Sequence, residues 1–253
     1  MTETKPLLET RNVRKTFGNV VATDDVDISF YEDEIVGVIG PNGAGKTTFI
    51  NLISGSLSPT SGRIIFEGED IADLPDHRRV KKGIARSFQL PHLYDELSVL
   101  DNVRAALVSR KGRNGNFYSL LSRDEEVYKE AMSTLETFEL DDDTTMMAED
   151  LSHGKRKILD IAMSFALEPD LLLLDEPTSG VGSEDKTDVM ETVTLAARET
   201  GTSLVFVEHD MQLVSEFSDR VVALHNGRIL SEGDPEAVLN SEEVKEHIRE
   251  EGA

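Results

Sequence analysis

A glycine-rich segment near the start of the chain has residue types and a spacing that suit phosphate binding. Residues 40–48 read Gly-Pro-Asn-Gly-Ala-Gly-Lys-Thr-Thr and fit the pattern G-x-x-x-x-G-K-[ST]. The glycines let successive backbone N–H groups turn toward a polyphosphate, and a following helix adds unpaired N-terminal donors. Lys46 is placed to reach the β- and γ-phosphates, and the Thr47 hydroxyl is a ligand for Mg²⁺. The alternative is a glycine-rich turn without a ligand.

Polar residues also follow two apolar runs later in the chain. Asp175 and Glu176 come directly after four leucines, and His209 lies just beyond a second apolar run. Ligands of α/β proteins bind at the carboxyl ends of strands, where Asp175 would hold Mg²⁺ and Glu176 would orient an attacking water. A histidine at position 209 can donate to a γ-phosphate. The alternatives are a helix-capping acidic turn and a structural or surface histidine.

One aromatic residue lies upstream of these motifs. Phe17 belongs to a segment, residues 14–19, for which the sequence predicts a turn. A phenylalanine at this place can stack on a purine base, and the alternative is that it packs in the core.

Apolar periodicity predicts the elements that position these residues, and they alternate as in an α/β fold. Strands are predicted over residues 7–10, 26–31, 34–39, 63–68, 83–88, 171–174, 204–207, 220–224 and 228–232. Helices are predicted over residues 48–53, 74–82, 98–107, 124–138, 184–199 and 211–217, with one more after residue 154 and a charged one at the C-terminus. The stretch between about 90 and 150 is helical in pattern and is interpreted as an insertion.

Composition excludes several classes of protein. The chain has 253 residues and no cysteine, which excludes disulfides, thiol catalysis and cysteine-based zinc sites. Neither an N-terminal signal core nor an apolar run of the roughly 18 residues that span a bilayer is present. We therefore expect a soluble, intracellular protein.

The charge balance is strongly acidic. The net charge is −23, from 49 acidic and 26 basic residues spread along the whole chain. The absence of a basic footprint argues against nucleic acid as a partner. Dispersed acidity favours adaptation to high salt, where self-repulsion is screened, over an ordinary acidic protein.

The ordered set of motifs resembles the nucleotide-binding subunits of ABC transporters along nearly the entire chain. The resemblance implies a P-loop NTPase (RecA-like) core with an antiparallel β subdomain and a helical insertion. Residues 1–89 would hold the N-terminal part of the core with the β subdomain, and residues 90–152 the helical subdomain. Residues 153–233 would complete the core, and residues 234–253 would form a helical tail.

The resemblance also assigns roles to individual residues. It makes Phe17 the adenine-stacking aromatic, Gln89 the glutamine that contacts the nucleotide and Mg²⁺, and Ser152 and Gly154 the signature residues that face the partner's γ-phosphate. Nucleotide contacts are thus expected from Phe17, Gly40, Pro41, Asn42, Gly43, Ala44, Gly45, Lys46, Thr47, Thr48, Gln89, Ser152 and Gly154. Metal ligands are Thr47, Gln89 and Asp175, and catalytic residues are Lys46, Glu176 and His209.

Two segments depart from the family pattern. In the signature motif, His153 and Lys155 replace a glycine and a glutamine. The segment after Glu176 lacks the usual aspartate and has Gly182 instead. These departures concern communication between two subunits more than the chemistry at either site.

Within the family, residues 85–89, the hydrophilic insertion near 110–125 and residues 207–211 look like the ATPases of branched-chain amino acid importers. ATPases for urea, amides or another small solute share these features, and the C-terminal residues 244–248 depart from the ending expected of the branched-chain group. The resemblance implies that the chain binds ATP and Mg²⁺. It also implies two kinds of partner, namely permease subunits and a second cassette that is either identical or different. An extracytoplasmic solute-binding protein would be an indirect partner. The implied location is the cytoplasmic face of the membrane.

Other functions stay open at this stage. One alternative is a soluble ABC ATPase that acts on ribosomes or DNA, and the single cassette and the acidic composition argue against it. Another is a cassette that binds ATP without hydrolysing it, and the presence of Glu176 and His209 argues against that. The family places residues 90–94 against a permease loop. Their apolar side chains fit a docking surface, and a core strip of the helical subdomain is the alternative.

Overall fold

The strands of this computed structural model form two separate sheets, and the structure describes residues 5–87, 93–111 and 124–248. The strands are β1 (Leu8–Phe17), β2 (Val20–Phe30), β3 (Ile35–Ile39), β4 (Ser61–Phe66), β5 (Glu69–Asp70), β6 (Ile84–Ser87), β7 (Leu171–Asp175), β8 (Ser203–Val207), β9 (Arg220–His225) and β10 (Arg228–Gly233). The helices are α1 (Lys46–Ser54), α2 (Asp76–Val80), α3 (Val99–Arg110), α4 (Glu125–Thr137), α5 (His153–Phe165), α6 (Lys186–Thr200), α7 (Met211–Phe217), α8 (Pro235–Asn240) and α9 (Glu242–Ile248).

The larger sheet has the strand order β10-β9-β3-β8-β7-β6. All its pairings are parallel except that of β9 with β10. Every residue of β3, β7 and β8 is buried, as expected for parallel strands covered on both faces. The register pairs Val207 with both Val38 and Asp175, so the carboxyl ends of these three strands lie side by side.

The smaller sheet is antiparallel, with the order β2-β1-β4-β5. The turn predicted over residues 14–19 is wrong, because β1 continues to Phe17 and only Gly18-Asn19 turns the chain. Register shifts interrupt the pairing of β1 with β2, and Asn12 has a left-handed φ of 50°. These irregularities break the alternation of apolar and polar residues on which the prediction depended.

Helices α3 and α4 form the predicted helical insertion. They pack against each other and against α5, with Val103, Leu107, Ala131 and Leu135 in the shared core. Ser98 caps the N-terminus of α3 by accepting a hydrogen bond from the Asp101 amide. The C-terminal region forms two helices rather than the single predicted one.

A buried arginine supports the end of α1. The guanidinium of Arg79, on α2, donates to the carbonyl oxygens of Leu52 and Ile53 at 2.6 and 2.8 Å, and to those of Ala72 and Leu74. A cation here satisfies the unpaired carbonyls at a helix C-terminus. Burial lowers the pKa of Arg79 to about 10, and nearby aspartates oppose that shift, so the group stays charged at neutral pH.

We predict that Arg79→Met lowers the free energy of unfolding by about 3 kcal/mol, because several buried carbonyl oxygens lose their donor. Arg78→Met on the same short helix is the matched control, since Arg78 is exposed, and we expect a change within about 0.5 kcal/mol. Urea unfolding at constant salt measures both values. Equal effects of the two substitutions would contradict this role of Arg79.

Candidate functional site

The phosphate loop (residues 40–48) connects β3 to the start of α1. Gly45 precedes α1 with φ 100°, and no side chain caps the N-terminus of that helix. A Cβ on Gly45 would lie 2.2 Å from the Ala22 carbonyl oxygen, and one on Gly40 would lie 2.3 Å from that of Leu224. Only glycine fits at these two positions, and the uncapped helix end is a ready anion-binding site.

The Lys46 ammonium is held inside the loop. Lys46 is only 7% exposed, and its Nζ donates to the carbonyl oxygens of Gly40 at 2.6 Å and Pro41 at 3.0 Å. Thr47 is exposed and Thr48 is half-buried at the first turn of α1. The loop therefore presents a fixed positive charge beside a helix N-terminus.

The hairpin turn between β9 and β10 is hydrogen-bonded to the phosphate loop. The amide of Gly227 donates to the Ala44 carbonyl oxygen at 2.9 Å, and the Gly227 carbonyl accepts from the Asp24 amide at 2.8 Å. Asn226 and Gly227 both have positive φ, as a two-residue type I′ hairpin requires.

Asp175 ends β7 and is 2% exposed. Its Oδ2 accepts a hydrogen bond from Nη2 of Arg86, on the neighbouring strand β6, at 3.0 Å. The guanidinium also donates to the side-chain oxygen of Asn51 on α1. Burial raises the pKa of Asp175, Arg86 opposes the shift, and the negative charge of Glu176 adds to it. A second cation beside this carboxylate would therefore be favourable.

Glu176 and His209 lie together at the ends of β7 and β8. Oε1 of Glu176 is 3.0 Å from Nε2 of His209, and both side chains are partly exposed. Glu176 has a left-handed φ of 52°, and its amide donates to the Val207 carbonyl oxygen at 3.0 Å. Such strain in a non-glycine residue is typical of functional sites. A carboxylate and an imidazole in contact can position a water and a proton.

The remaining predicted site residues lie elsewhere. Phe17 ends β1 in the other sheet and is 49% exposed, with Nζ of Lys15 at 5.2 Å from its ring centre. This exposure excludes the core alternative for Phe17. Gln89 falls outside the described residues.

Ser152 and Gly154 lie at the start of α5. Ser152 is exposed and caps the helix by accepting from the Lys155 amide, and the nearest group to a Cβ on Gly154 would be the Val181 side chain at 3.8 Å. Lys155 forms an ion pair with Asp143. Within the described ranges, no hydrogen bond joins Ser152 or Gly154 to the phosphate loop.

Three residues of the site were not singled out from the sequence: Arg86, Thr178 and Glu208. Arg86 breaks an apolar strand, which signals an acidic partner on a neighbouring strand. Glu208 is buried and accepts hydrogen bonds from Thr178. Its signal was weaker, since it stands among other polar residues.

The described residues contain no group of three or more His, Cys, Asp or Glu side chains arranged to hold a metal ion. Among the helices in these ranges, none has the length and apolar character to cross a membrane.

The family model described as ABC transporter matches residues 23–179. BraF of Pseudomonas aeruginosa, a high-affinity branched-chain amino acid transport ATP-binding protein, is 32% identical over 95% of this chain and 96% of its own length. LivG of Archaeoglobus fulgidus, a probable branched-chain amino acid transport ATP-binding protein, is 34% identical over 95% of this chain and 94% of its own.

Solved structures agree with these relatives. The ADP conformation of an ATP-binding cassette of an ABC transporter has a TM-score of 0.84 and 29% identity, covering 98% of this chain and 100% of that one. A nucleotide-free ATP-binding cassette has a TM-score of 0.79 and 29% identity, covering 97% and 96%. The phosphate loop thus lies in the ABC ATPase fold, and the chain belongs to the ABC transporter family as an ATP-binding, ATP-hydrolysing subunit.

Proposed function

We propose that the chain energises the uptake of branched-chain amino acids through a membrane permease. The choice of solute rests on the similarity to branched-chain amino acid transport ATP-binding proteins, which are 32–34% identical along almost the whole chain. The chain works beside a permease at the cytoplasmic face of the membrane, and a solute-binding protein delivers the amino acid from the other side.

ATP binds along the phosphate loop, with its adenine stacked on the exposed ring of Phe17. The glycines and the uncapped N-terminus of α1 supply N–H donors to the phosphates. The Lys46 ammonium exchanges the carbonyl oxygens of Gly40 and Pro41 for oxygens of the β- and γ-phosphates. Because the ammonium is already desolvated and in place, little reorganisation accompanies binding.

Mg²⁺ fits the donors at this edge, since hydroxyl and carboxylate oxygens are its preferred ligands and the substrate phosphates complete its coordination. Thr47, Asp175 and Gln89 would hold it, and when bound it neutralises charge on the β- and γ-phosphates. Arg86 opposes the rise that burial causes in the pKa of Asp175 and fixes the carboxylate through Oδ2.

Glu176 and His209 act on the γ-phosphate side of the site. Glu176 orients the attacking water, and His209, at 3.0 Å from it, donates to the oxygens on which negative charge develops. Lys46 stabilises the same charge from within the phosphate loop. Positioning and electrostatics therefore supply the catalysis.

A second cassette completes each site. Ser152 and Gly154 lie at a helix N-terminus with no hydrogen bond to the described phosphate loop of their own chain, which supports contact with the γ-phosphate bound by the partner. The partner is a second copy or a different cassette. Gly182 in place of the usual aspartate, together with His153 and Lys155, affects communication between the two sites.

A groove beside Tyr94 suits a cytoplasmic loop of the permease. Tyr94 is 54% exposed and lines a cavity of about 220 Å³ together with Ala105, Ala106, Met163 and Leu167. Leu93, in contrast, packs against the main core. We therefore divide the segment into a partly buried anchor, Leu93, and an exposed docking residue, Tyr94.

The acidic surface supports a role in a salt-rich cytoplasm. The net charge of −23 is self-repelling at low ionic strength and is screened at high ionic strength. Measurements on the purified chain therefore call for concentrated potassium chloride.

The choice of solute is tested by uptake into proteoliposomes that contain the permease, the solute-binding protein and this cassette. We predict ATP-dependent accumulation of labelled leucine, and its loss in Glu176→Gln, because that substitution removes the group that orients the water. Accumulation of urea without leucine would contradict the proposed solute while leaving the ATPase assignment intact.

The docking surface is tested with two neighbouring substitutions. We predict that Tyr94→Ser lowers leucine uptake at least fivefold with basal ATP hydrolysis and thermal stability unchanged, because an exposed contact is removed. Leu93→Ser should instead lower the unfolding temperature by several degrees, since it deletes buried apolar area. Normal uptake by Tyr94→Ser would rule out the docking role.

A further inference from the structure

Glu208 is a buried carboxylate that the catalytic scheme does not use. It follows β8 directly, is 4% exposed and precedes His209. We propose that Glu208 is a positioning residue that fixes Glu176 and His209 relative to each other. This inference rests on the roles of Glu176 and His209 in the proposed function.

The two oxygens of Glu208 bind two different turns. Oε1 accepts hydrogen bonds from the backbone amide of Thr178 at 2.9 Å and from its hydroxyl at 2.8 Å. Oε2 accepts from the backbone amide of His209 at 3.2 Å. One carboxylate therefore ties the turn after β7, which carries Glu176, to the turn after β8, which carries His209.

These contacts close a ring around the Glu176–His209 pair. Thr178 is two residues from Glu176 in the chain, and the Glu176 side chain contacts the His209 side chain. The backbone amide of His209 donates to Glu208, which completes the ring. The Ser179 amide donates to the Glu176 carbonyl oxygen at 3.0 Å, which tightens the first turn. Because Glu176 has a left-handed backbone and a partly exposed side chain, its carboxylate position depends on such neighbours.

A buried lysine is within electrostatic range of Glu208. Lys157, on α5, is buried, and burial lowers its pKa while the carboxylates of Asp160, Asp175 and Glu208 oppose that shift. The Glu208 carboxylate is thus one of several negative charges near this lysine.

Within the described ranges, no hydrogen bond joins Thr178 or Glu208 to the phosphate loop. Loss of the Glu208 charge should therefore reduce turnover more than nucleotide affinity. In Glu208→Gln the amide keeps an oxygen for Thr178 but turns an NH₂ group toward the His209 amide, so the link between the two turns is broken.

The test is basal Mg-ATP hydrolysis by the full chain, with kcat and KM measured separately and without permease or solute. We expect Glu208→Gln to lower kcat at least tenfold with KM for ATP within about twofold of the original. Thr178→Val, which removes one donor, should lower kcat less, and Thr178→Ser, which restores the hydroxyl, should recover it. The double variant Glu208→Gln with Thr178→Val should be no slower than Glu208→Gln alone, because both changes break the same link.

Asp210→Asn is the matched control on the other side of His209. Asp210 caps α7 by accepting from the Gln212 and Leu213 amides, and it takes no part in the ring. We expect this substitution to lower the unfolding temperature slightly and to leave kcat unchanged. Equal changes in kcat and unfolding temperature for Glu208→Gln and Asp210→Asn would overturn the inference, as would a normal kcat in both Glu208→Gln and Thr178→Val.

Glu176→Gln in the same assay separates this inference from the roles on which it rests. An inactive Glu176→Gln beside a fully active Glu208→Gln would contradict the positioning role alone. A fully active Glu176→Gln would overturn both. Failure of leucine uptake changes neither result, because hydrolysis is measured without a transported solute.

Discussion

Three parallel strands, β3, β7 and β8, are buried along their whole length and end at one edge of the larger sheet, and the charged groups of the site occupy that edge. Burial disfavours a charge unless a partner is present, so each group here is bound by another. Lys46 binds the carbonyl oxygens of its own loop, and Asp175 binds Arg86. The sheet thus holds a preorganised polar surface at the carboxyl ends of its strands, beside the N-terminus of α1, where ligands of α/β proteins bind.

Because these charged groups are already held by neighbouring groups, few further residues are needed to position them. The Lys46 ammonium is held by carbonyl oxygens of its own loop beside the uncapped N-terminus of α1, so little binding energy is spent on ordering these groups. Glu176 is held in a left-handed conformation by the register of β7 with β8 and by the turn that follows. The geometry of the Glu176–His209 pair therefore depends on the sheet edge, through backbone hydrogen bonds and those of the Glu208 carboxylate.

The sequence predicted local features better than distant ones. The phosphate loop and α1 depend on residues within a few positions, and the structure has both elements. Strand β1 was predicted too short because register shifts hide its alternation, and the C-terminal helix was not seen to break at Ser241. The partners of Asp175 and Glu208 lie 89 and 30 residues away in the chain, so no periodicity predicts them. Gln89 stays a prediction.

In the proposed arrangement, one chain supplies the phosphate loop and the Glu176–His209 pair, while Ser152 and Gly154 act on the ATP of another chain. Gel filtration of Glu176→Gln with Mg-ATP in concentrated potassium chloride tests it most directly, because this variant should bind ATP without hydrolysing it. We predict a dimer that forms only with ATP, and a monomer for Glu176→Gln combined with Lys46→Met, which cannot hold the phosphates. A second sample contains the same variant mixed with an equimolar amount of a second cassette. A dimer that forms in this mixture but not with the variant alone identifies a heterodimer. A monomer that binds ATP in both samples would contradict this arrangement.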